Sequence, residues 1–385
     1  MPKTAPSKLL DVILCVYAVV VLIASFLIAP MHDYALYFAH WDLILSGGDP
    51  WAKIDAPNAY GPVYNIFALP YALHSQLPKL IFVSCWLAVA LYTVRYFSAL
   101  KNVSATVKWF FAAFWLLNPF FIVSTSFYGF NDSLVGMLCF LGVLFAVKGN
   151  GKTSLLILTI GVLTKIYPLF LLPFLSKSWK NIRRNILIFM VVLLAVYLIT
   201  YLIWGPSFLV AFGKANGRNP TLFSIMMFLY SDYFPFQSIS NLLISLNKPL
   251  AIGTVFFVFM RFRKGKLEQH AAFLAGFTAL LMFYKAGQQQ FYLTYFAIFA
   301  AWVLIEFRKE LPNLKAFYAV LMLGVWMMLM AGIVYPATSY MSGEHVWIRQ
   351  VIGLPTFILL CVIFKQLVFP IAIKQTEFET DPLLQ

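Results

Sequence analysis

Apolar runs of about twenty residues, each closed by a short polar turn, recur along almost the whole of this chain and leave it few ways to fold. The first, from Leu9 to Ala29, carries no charge beyond Asp11. A helix needs roughly 20 apolar residues to cross the hydrocarbon core of a bilayer, where its peptide groups must bond to one another for want of water. Charged residues make up 11% of the chain and hydrophobic residues 62%, against about 25% charged in water-soluble domains. The sequence therefore predicts an all-α polytopic membrane protein, a single integral domain over residues 1–385 with about 10–12 transmembrane helices. The first run lacks a cleavage-site pattern and reads as a retained helix. Cys15, Cys85, Cys139 and Cys361 all fall in apolar segments without metal-ligand spacing, as packing residues do.

A net charge of +14 suggests an anionic partner, but in such a chain the placement of the basic residues is the better test. They cluster in short loops: Lys101 and Lys108, Lys148 and Lys152, Lys177 to Arg184, Arg261 to Lys266, and Arg308 with Lys309. With both termini cytoplasmic, most of the 28 Lys and Arg fall on the inner side, so the surplus charge is mainly an inside-loop bias and nucleic acid is not expected as a partner. No helix centre carries a carboxylate. That argues against an ion-coupled carrier, which needs an intramembrane acid.

Four segments break the apolar pattern. Residues 31–62 form a first outer polar loop holding His32, Asp33, Asp42, Asp49 and Asp55. Residues 153–176 are flanked by basic clusters on both sides, so a single crossing would leave one cluster outside. A helical hairpin turning at Lys165-Ile166-Tyr167-Pro168 keeps both inside, since Pro168 breaks the helix. Non-helical backbone at that depth must be buried in protein or line a wet cavity, so Lys165 faces a cavity. Residues 205–247 form an outer or interfacial region, and 370–385 a cytoplasmic tail.

Asp33 follows a helix ended by Pro30, at the water boundary. A carboxylate there can serve as general base toward an attacking hydroxyl, or it can simply cap a short helix in solvent. Asp132, Lys165, Arg218 and Lys285 with the Gln288–Gln290 run project toward the same face. A buried ammonium needs an anion. For Lys165 that anion is either a lipid phosphate or an internal carboxylate, Asp33 or Asp132. Arg218 and Lys285 fit interfacial anchors as well as phosphate ligands. His32 lacks the HxxxH or DxD neighbours of a metal site, and none is expected.

In order along the chain, His32-Asp33-Tyr34, Leu45-Ser46-Gly47-Gly48-Asp49-Pro50-Trp51, Tyr60-Gly61-Pro62-Val63-Tyr64, Tyr128-Gly129-Phe130-Asn131-Asp132 and Lys165-Ile166-Tyr167-Pro168 resemble motifs of the GT-C class of polytopic glycosyltransferases. These use polyprenyl-phosphate sugars, and the likeness is to the bacterial alpha-mannosyltransferase group and to the related first mannosyltransferase of GPI-anchor synthesis. It covers the first half of the chain by motif and the second by hydropathy alone. It implies a GT-C-like fold and an inverting transfer of a hexose, mannose in those relatives, from a polyprenyl-phosphate sugar to a glycan or lipid-linked acceptor. The site would face the periplasm of a bacterial inner membrane. By the same resemblance Asp33 is the base, Lys165, Arg218 and Lys285 hold the donor phosphate, and His32, Asp132, Tyr167 and Gln289 bind sugar or acceptor. Where some members carry a DxD pair, Asp33 is followed by Tyr34 and Ala35. Neither metal nor cofactor is expected; membrane lipids are partners, and a small membrane subunit would complete such an enzyme.

A lipid-borne donor suits the chemistry, because the departing phosphate monoester can be stabilised by cations without a nucleotide site. A flippase for lipid-linked sugars would also want a cationic cavity, but with an internal repeat relating two halves, and none is visible. A membrane acyltransferase would need a His-Asp pair, for which His32-Asp33 is the one candidate.

Overall fold

The computed structural model describes residues 8–52, 58–217, 219–336 and 346–370. The expected tail beyond residue 370, the stretch 53–57 of the first outer segment, and Arg218 lie outside the described residues. The fold is all-α and polytopic. α1 (Lys8–Leu27) lies against α4 (Leu77–Ser98) in antiparallel fashion. At one end Asp11 pairs with Arg95 at 2.9 Å, and at the other the Lys79 ammonium donates to the Ile28 carbonyl at 2.8 Å. The last carbonyls of a helix have no partner inside it, and a cation there answers both them and the helix dipole.

Between these two, α2 (His32–Leu45) and α3 (Ala68–Leu73) cap the outer end of the bundle. The expected polar loop 31–62 is thus largely a helix. Tyr34, Tyr37 and Trp41 fall on one helical face and are fully buried, with Tyr64 and Phe82, in an aromatic cluster. That cluster outweighs the acidic residues in setting the local conformation.

α5 (Ala105–Leu116), α6 (Pro119–Ile122) and a widened turn over Val123–Phe127 follow, making one apolar span of 23 residues. α7 (Asp132–Val147) and α8 (Gly151–Thr164) form a tight antiparallel pair, in which Ser154 Oγ donates to the Gly142 carbonyl at 2.6 Å. α9 (Trp179–Trp204) then leads to the outer region, which folds as α10 (Val210–Gly217), β1 (Thr221–Leu222), α11 (Ile225–Tyr230) and α12 (Gln237–Ser245). The remaining elements are α13 (Asn247–Arg263), α14 (Gln269–Phe283), β2 (Ala286–Gly287), α15 (Gln290–Glu306), α16 (Leu314–Leu329), α17 (Val346–Val351) and α18 (Gly353–Val368). β1 and β2 pair in parallel through Thr221 with Ala286 and Leu222 with Gly287, a short clasp that apolar periodicity does not announce.

Among the described residues six helices are long and apolar enough to cross a membrane, or seven if the bent α12–α13 pair is one crossing. Four shorter apolar helices, α7, α8, α14 and α15, pack among them. The ten to twelve expected crossings are reached only by counting these four. α15 is buried without interruption from Gln290 to Leu304, whereas only 11% of the apolar windows of α1 and α9 is buried. A helix sheathed by protein is released from the length that lipid imposes on one facing it.

The hairpin over 153–176 is present, as α8 followed by a tight helical stretch over Tyr167–Leu175. Pro168 would clash with the Thr164 carbonyl four residues back, and Lys165 turns extended at φ −145°. The freed Thr164 carbonyl accepts instead from the Gly61 N–H at 3.0 Å. At Gly61 a Cβ would stand 2.2 Å from the Leu163 carbonyl oxygen, so the outer segment docks on the hairpin tip only because this residue has no side chain. Gly61→Ala is expected to destabilise the protein by about 2 kcal/mol through overpacking, seen as a lower melting temperature in detergent. Gly253→Ala, where nothing lies within 4 Å of the new Cβ, should leave it unchanged or slightly raised; equal losses at both positions would refute the docking contact.

Candidate functional site

Four separate stretches of chain meet at one end of the bundle, where α2 and α3 lie. α2 brings Asp33, Tyr37 and His40, the turn after residue 58 brings Tyr60 and Tyr64, the start of α7 brings Asn131 and Asp132, and the hairpin tip brings Lys165 and Tyr167. Asp132 is fully buried and pairs through Oδ2 with Lys165 Nζ at 2.5 Å, while the lysine side chain is 7% exposed. Its other oxygen accepts from the Tyr167 hydroxyl at 2.5 Å. That hydroxyl also lies 3.0 Å from Thr294 Oγ1 on α15, which donates to the Asp132 carbonyl at 3.3 Å. Asp132 is therefore fixed through both carboxylate oxygens. Of the two anions the sequence leaves open for Lys165, an internal carboxylate is the one present.

The Lys165 ammonium also sits over the Tyr60 ring, 4.9 Å from its centroid, as a cation does on an aromatic face. Tyr60 donates to the Tyr37 hydroxyl at 3.4 Å, Tyr37 donates to Asn131 Oδ1 at 3.5 Å, and Tyr64 lies 3.4 Å from His40 Nδ1. Asp33, in the first turn of α2 and half-buried, faces the same hydroxyls. Burial pushes the Tyr37 pKa well above the usual phenol value, and Tyr60, Asp33, Tyr64 and Asp132 push it further. Burial, with Tyr60, Asp33 and Tyr34 added, does the same to Tyr64. Both phenols thus stay neutral donors near neutral pH, and the groups here able to act as a base are the carboxylates and His40 beside Tyr64.

Gln289 is buried just ahead of α15, and its side-chain oxygen has no hydrogen-bond partner among the described residues. The same holds for Asn131 Nδ2, for the hydroxyls of Ser124, Ser126 and Ser133, and for Gln290 Oε1. Buried polar atoms are nearly always satisfied, so each unmet one marks a place where water or a ligand belongs. Lys285 lies half-buried in the turn between α14 and α15. Burial lowers its pKa, and the nearby Lys248 charge lowers it further. It connects to the Asp132 group through rings: Tyr284 is 5.6 Å from Phe291, and Phe291 5.1 Å from Tyr167.

The structure thus brings Asp33, Asp132, Lys165 and Tyr167 together and sets Gln289 and Lys285 at the α14–α15 turn beside them. His32 opens α2 and only its backbone is described; Arg218 lies outside the described residues. Tyr37, Tyr60, Tyr64, Asn131 and Thr294 are additions. Tyr37, one helical turn from Asp33, could have been found had α2 been recognised. Thr294, a lone hydroxyl in an apolar run, gives no signal.

A buried ion pair that loses one member leaves the other uncompensated. Asp132→Asn and Lys165→Met should each destabilise the folded protein by about 3–5 kcal/mol, and the double variant should recover a large part of the loss. Thermal unfolding of the four proteins in detergent measures the coupling, and additive losses would contradict it. No family model matches this chain, and no curated protein matches it.

Proposed function

We propose that this multi-pass membrane protein is a glycosyltransferase that moves a hexose, mannose by resemblance, from a polyprenyl-phosphate donor to a glycan or lipid-linked acceptor with inversion. The observation that carries the proposal is the convergence of two carboxylates of different standing on one cluster of neutral phenols. Asp132 is buried and held through both oxygens. Asp33 is half-buried at the first turn of α2 and electrostatically coupled to the same tyrosines. Two carboxylates in such unlike settings divide the labour: the fixed one organises the site, and the accessible one moves the proton.

In this mechanism the acceptor hydroxyl attacks the anomeric carbon of the donor while its proton passes to the Asp33 carboxylate. The new bond joins acceptor oxygen to sugar. The bond broken joins the sugar to the phosphate oxygen, and the electron pair leaves with polyprenyl phosphate. Lys285 in the α14–α15 turn lies near Lys248 at the start of α13, and on this reading the donor phosphate sits beside Lys285, where a cation stabilises the leaving group. Lys165 keeps Asp132 in place and, on this reading, lies beside the donor phosphate. The unmet polar atoms of Asn131, Ser133 and Gln289 then serve the hydroxyls of sugar or acceptor. The basic clusters Lys101, Lys266, Arg308 and Lys309 lie at the other end of the bundle. By the inside bias of such residues we read that end as cytoplasmic and the site as facing the periplasm of a bacterial inner membrane.

Purified protein in detergent, supplied with radiolabelled polyprenyl-phosphate mannose and membrane-extract acceptors, tests this. Asp33→Asn should lower transfer by roughly 10²–10⁴-fold, with donor retention and melting temperature unchanged. Lys285→Ala should instead raise the donor KM, by about tenfold, the worth of one charge-assisted hydrogen bond. Full activity in Asp33→Asn, or a wild type that carries lipid-linked sugar across liposomes without transferring it, would refute the proposal.

A further inference from the structure

A cavity of about 2020 Å³ lies at the end of the bundle away from Asp132 and Lys165. The last turns of α4 and α15, the loop after α4, the α13–α14 loop and the start of α16 enclose it. From Lys79 to Tyr96 along α4 is about 26 Å at 1.5 Å per residue, so the two places are separated by most of a membrane thickness.

Six cations line the cavity, Arg95, Lys101, Lys266, Arg308, Lys309 and Lys315, against three carboxylates, Glu268, Glu306 and Glu310. Two of those carboxylates are already engaged. Lys309 Nζ lies 2.6 Å from Glu268 and 2.8 Å from Glu306, and His270 Nε2 lies 2.6 Å from Glu306. Burial pulls the Lys309 pKa down, but the hydrogen bonds to Glu268 and Glu306 outweigh it and hold the ammonium above its usual value. Glu268, His270 and Glu306 bring ligand-type atoms within 4.8 Å of one another, yet the ammonium bridges both carboxylates, so the group is an ion-pair network. Arg95 is matched by Asp11.

Lys101, Lys266, Arg308 and Lys315 are left, exposed and without an ion pair among the described residues. Arg308 is steadied on Tyr96, its guanidinium 5.8 Å from the ring centroid and its Nε donating to the hydroxyl at 3.2 Å. The lining also holds the exposed Glu310 and the polar Asn102, Ser104, Asn313 and Gln366, and its apolar part is formed by Leu100, Val107, Phe307 and Phe317. Trp302 belongs to it as well, 1% exposed, and its indole N–H has no acceptor among the described residues. Four unmatched cations around an apolar floor, beside a buried donor without a partner, call for a ligand that is anionic at one end and apolar at the other. Ligand pockets for small molecules occupy about 300–1,000 Å³, and this cavity is larger, with room for a headgroup and the start of its chains. Its place at the helix ends is the depth at which anionic headgroups lie.

We propose that this cavity binds the phosphate headgroup of an anionic phospholipid, with Lys101, Arg308 and Lys315 on the phosphate and the acyl glycerol against the Trp302 and Phe317 floor. The site is independent of the transfer chemistry, and its test needs no activity. Binding of phosphatidylglycerol to the full-length protein in a neutral detergent is measured beside phosphatidylcholine and inorganic phosphate. Wild type is compared with Lys101→Ala/Arg308→Ala/Lys315→Ala and with Lys152→Ala/Lys180→Ala/Arg183→Ala, which removes the same charge from exposed positions outside the cavity. The expected result is a loss of at least about tenfold in phosphatidylglycerol affinity for the cavity variant, little change for the other, and weak binding of phosphatidylcholine. All three cavity residues are exposed, so melting temperatures without lipid should agree. Equal losses in the two variants would reduce the effect to net charge and overturn the site. Inorganic phosphate binding as tightly as the lipid would overturn the lipid assignment in favour of a soluble phosphate ligand.

Discussion

The pair between Asp132 and Lys165 is the contact on which the outer end of this molecule depends. Each group alone would be costly at that depth, and the two are joined by short hydrogen bonds with almost no solvent. Their meeting fixes the start of α7 against the hairpin tip, where the chain leaves helical geometry inside the bundle. The tip in turn offers the Thr164 carbonyl to Gly61, which positions Tyr60 under the ammonium and Tyr64 beside His40. A single ion pair thereby orders three stretches of chain far apart in sequence. The same arrangement restricts what Lys165 can do: its charge is met by a carboxylate before any ligand arrives, so it organises the site more than it attracts an anion from a distance.

The bundle is asymmetric in the way such a site requires. Its centre, α14 and α15, is almost entirely apolar and buried, which excludes charge from the middle and concentrates polar groups at both ends. At one end are carboxylates, phenols and unmet amides; at the other, lysines and arginines around a wide cavity. Lipid meets α1 and α9, whose apolar faces are largely bare of protein contact. Neither end can borrow groups from the other, because a polar side chain cannot be held in between without a partner.

Much of this was legible in the sequence. The helical class followed from the apolar runs, and the hairpin from basic flanks on both sides of a segment containing Pro168. The importance of Asp132 and Lys165 followed from the cost of burying charge. The sequence could not choose between a carboxylate and a phosphate as the partner of Lys165, since that is a question of distance. It also hid α2, because acidic residues at Asp33, Asp42 and Asp49 mask the spacing of Tyr34, Tyr37 and Trp41. Short buried helices were equally hard to count: hydropathy measures suitability for lipid, and α7, α8, α14 and α15 are mostly sheathed by protein. The cavity at the basic end arises from loop ends that no periodicity connects.

What distinguishes Asp33 from Asp132 is therefore tertiary structure and not residue type. Both carboxylates stand in the first turn of a helix, at the positive end of its dipole. Asp132 receives a cation, a phenol and full burial, and the fixed acceptor geometry that results has no room for a proton in transit. Asp33 keeps contact with solvent while sharing the field of the same tyrosines. Those tyrosines cannot relieve it of a proton near neutral pH, because their own neutral form is enforced by burial. A proton taken up beside these tyrosines can thus return to water through the half-exposed carboxylate at the start of α2.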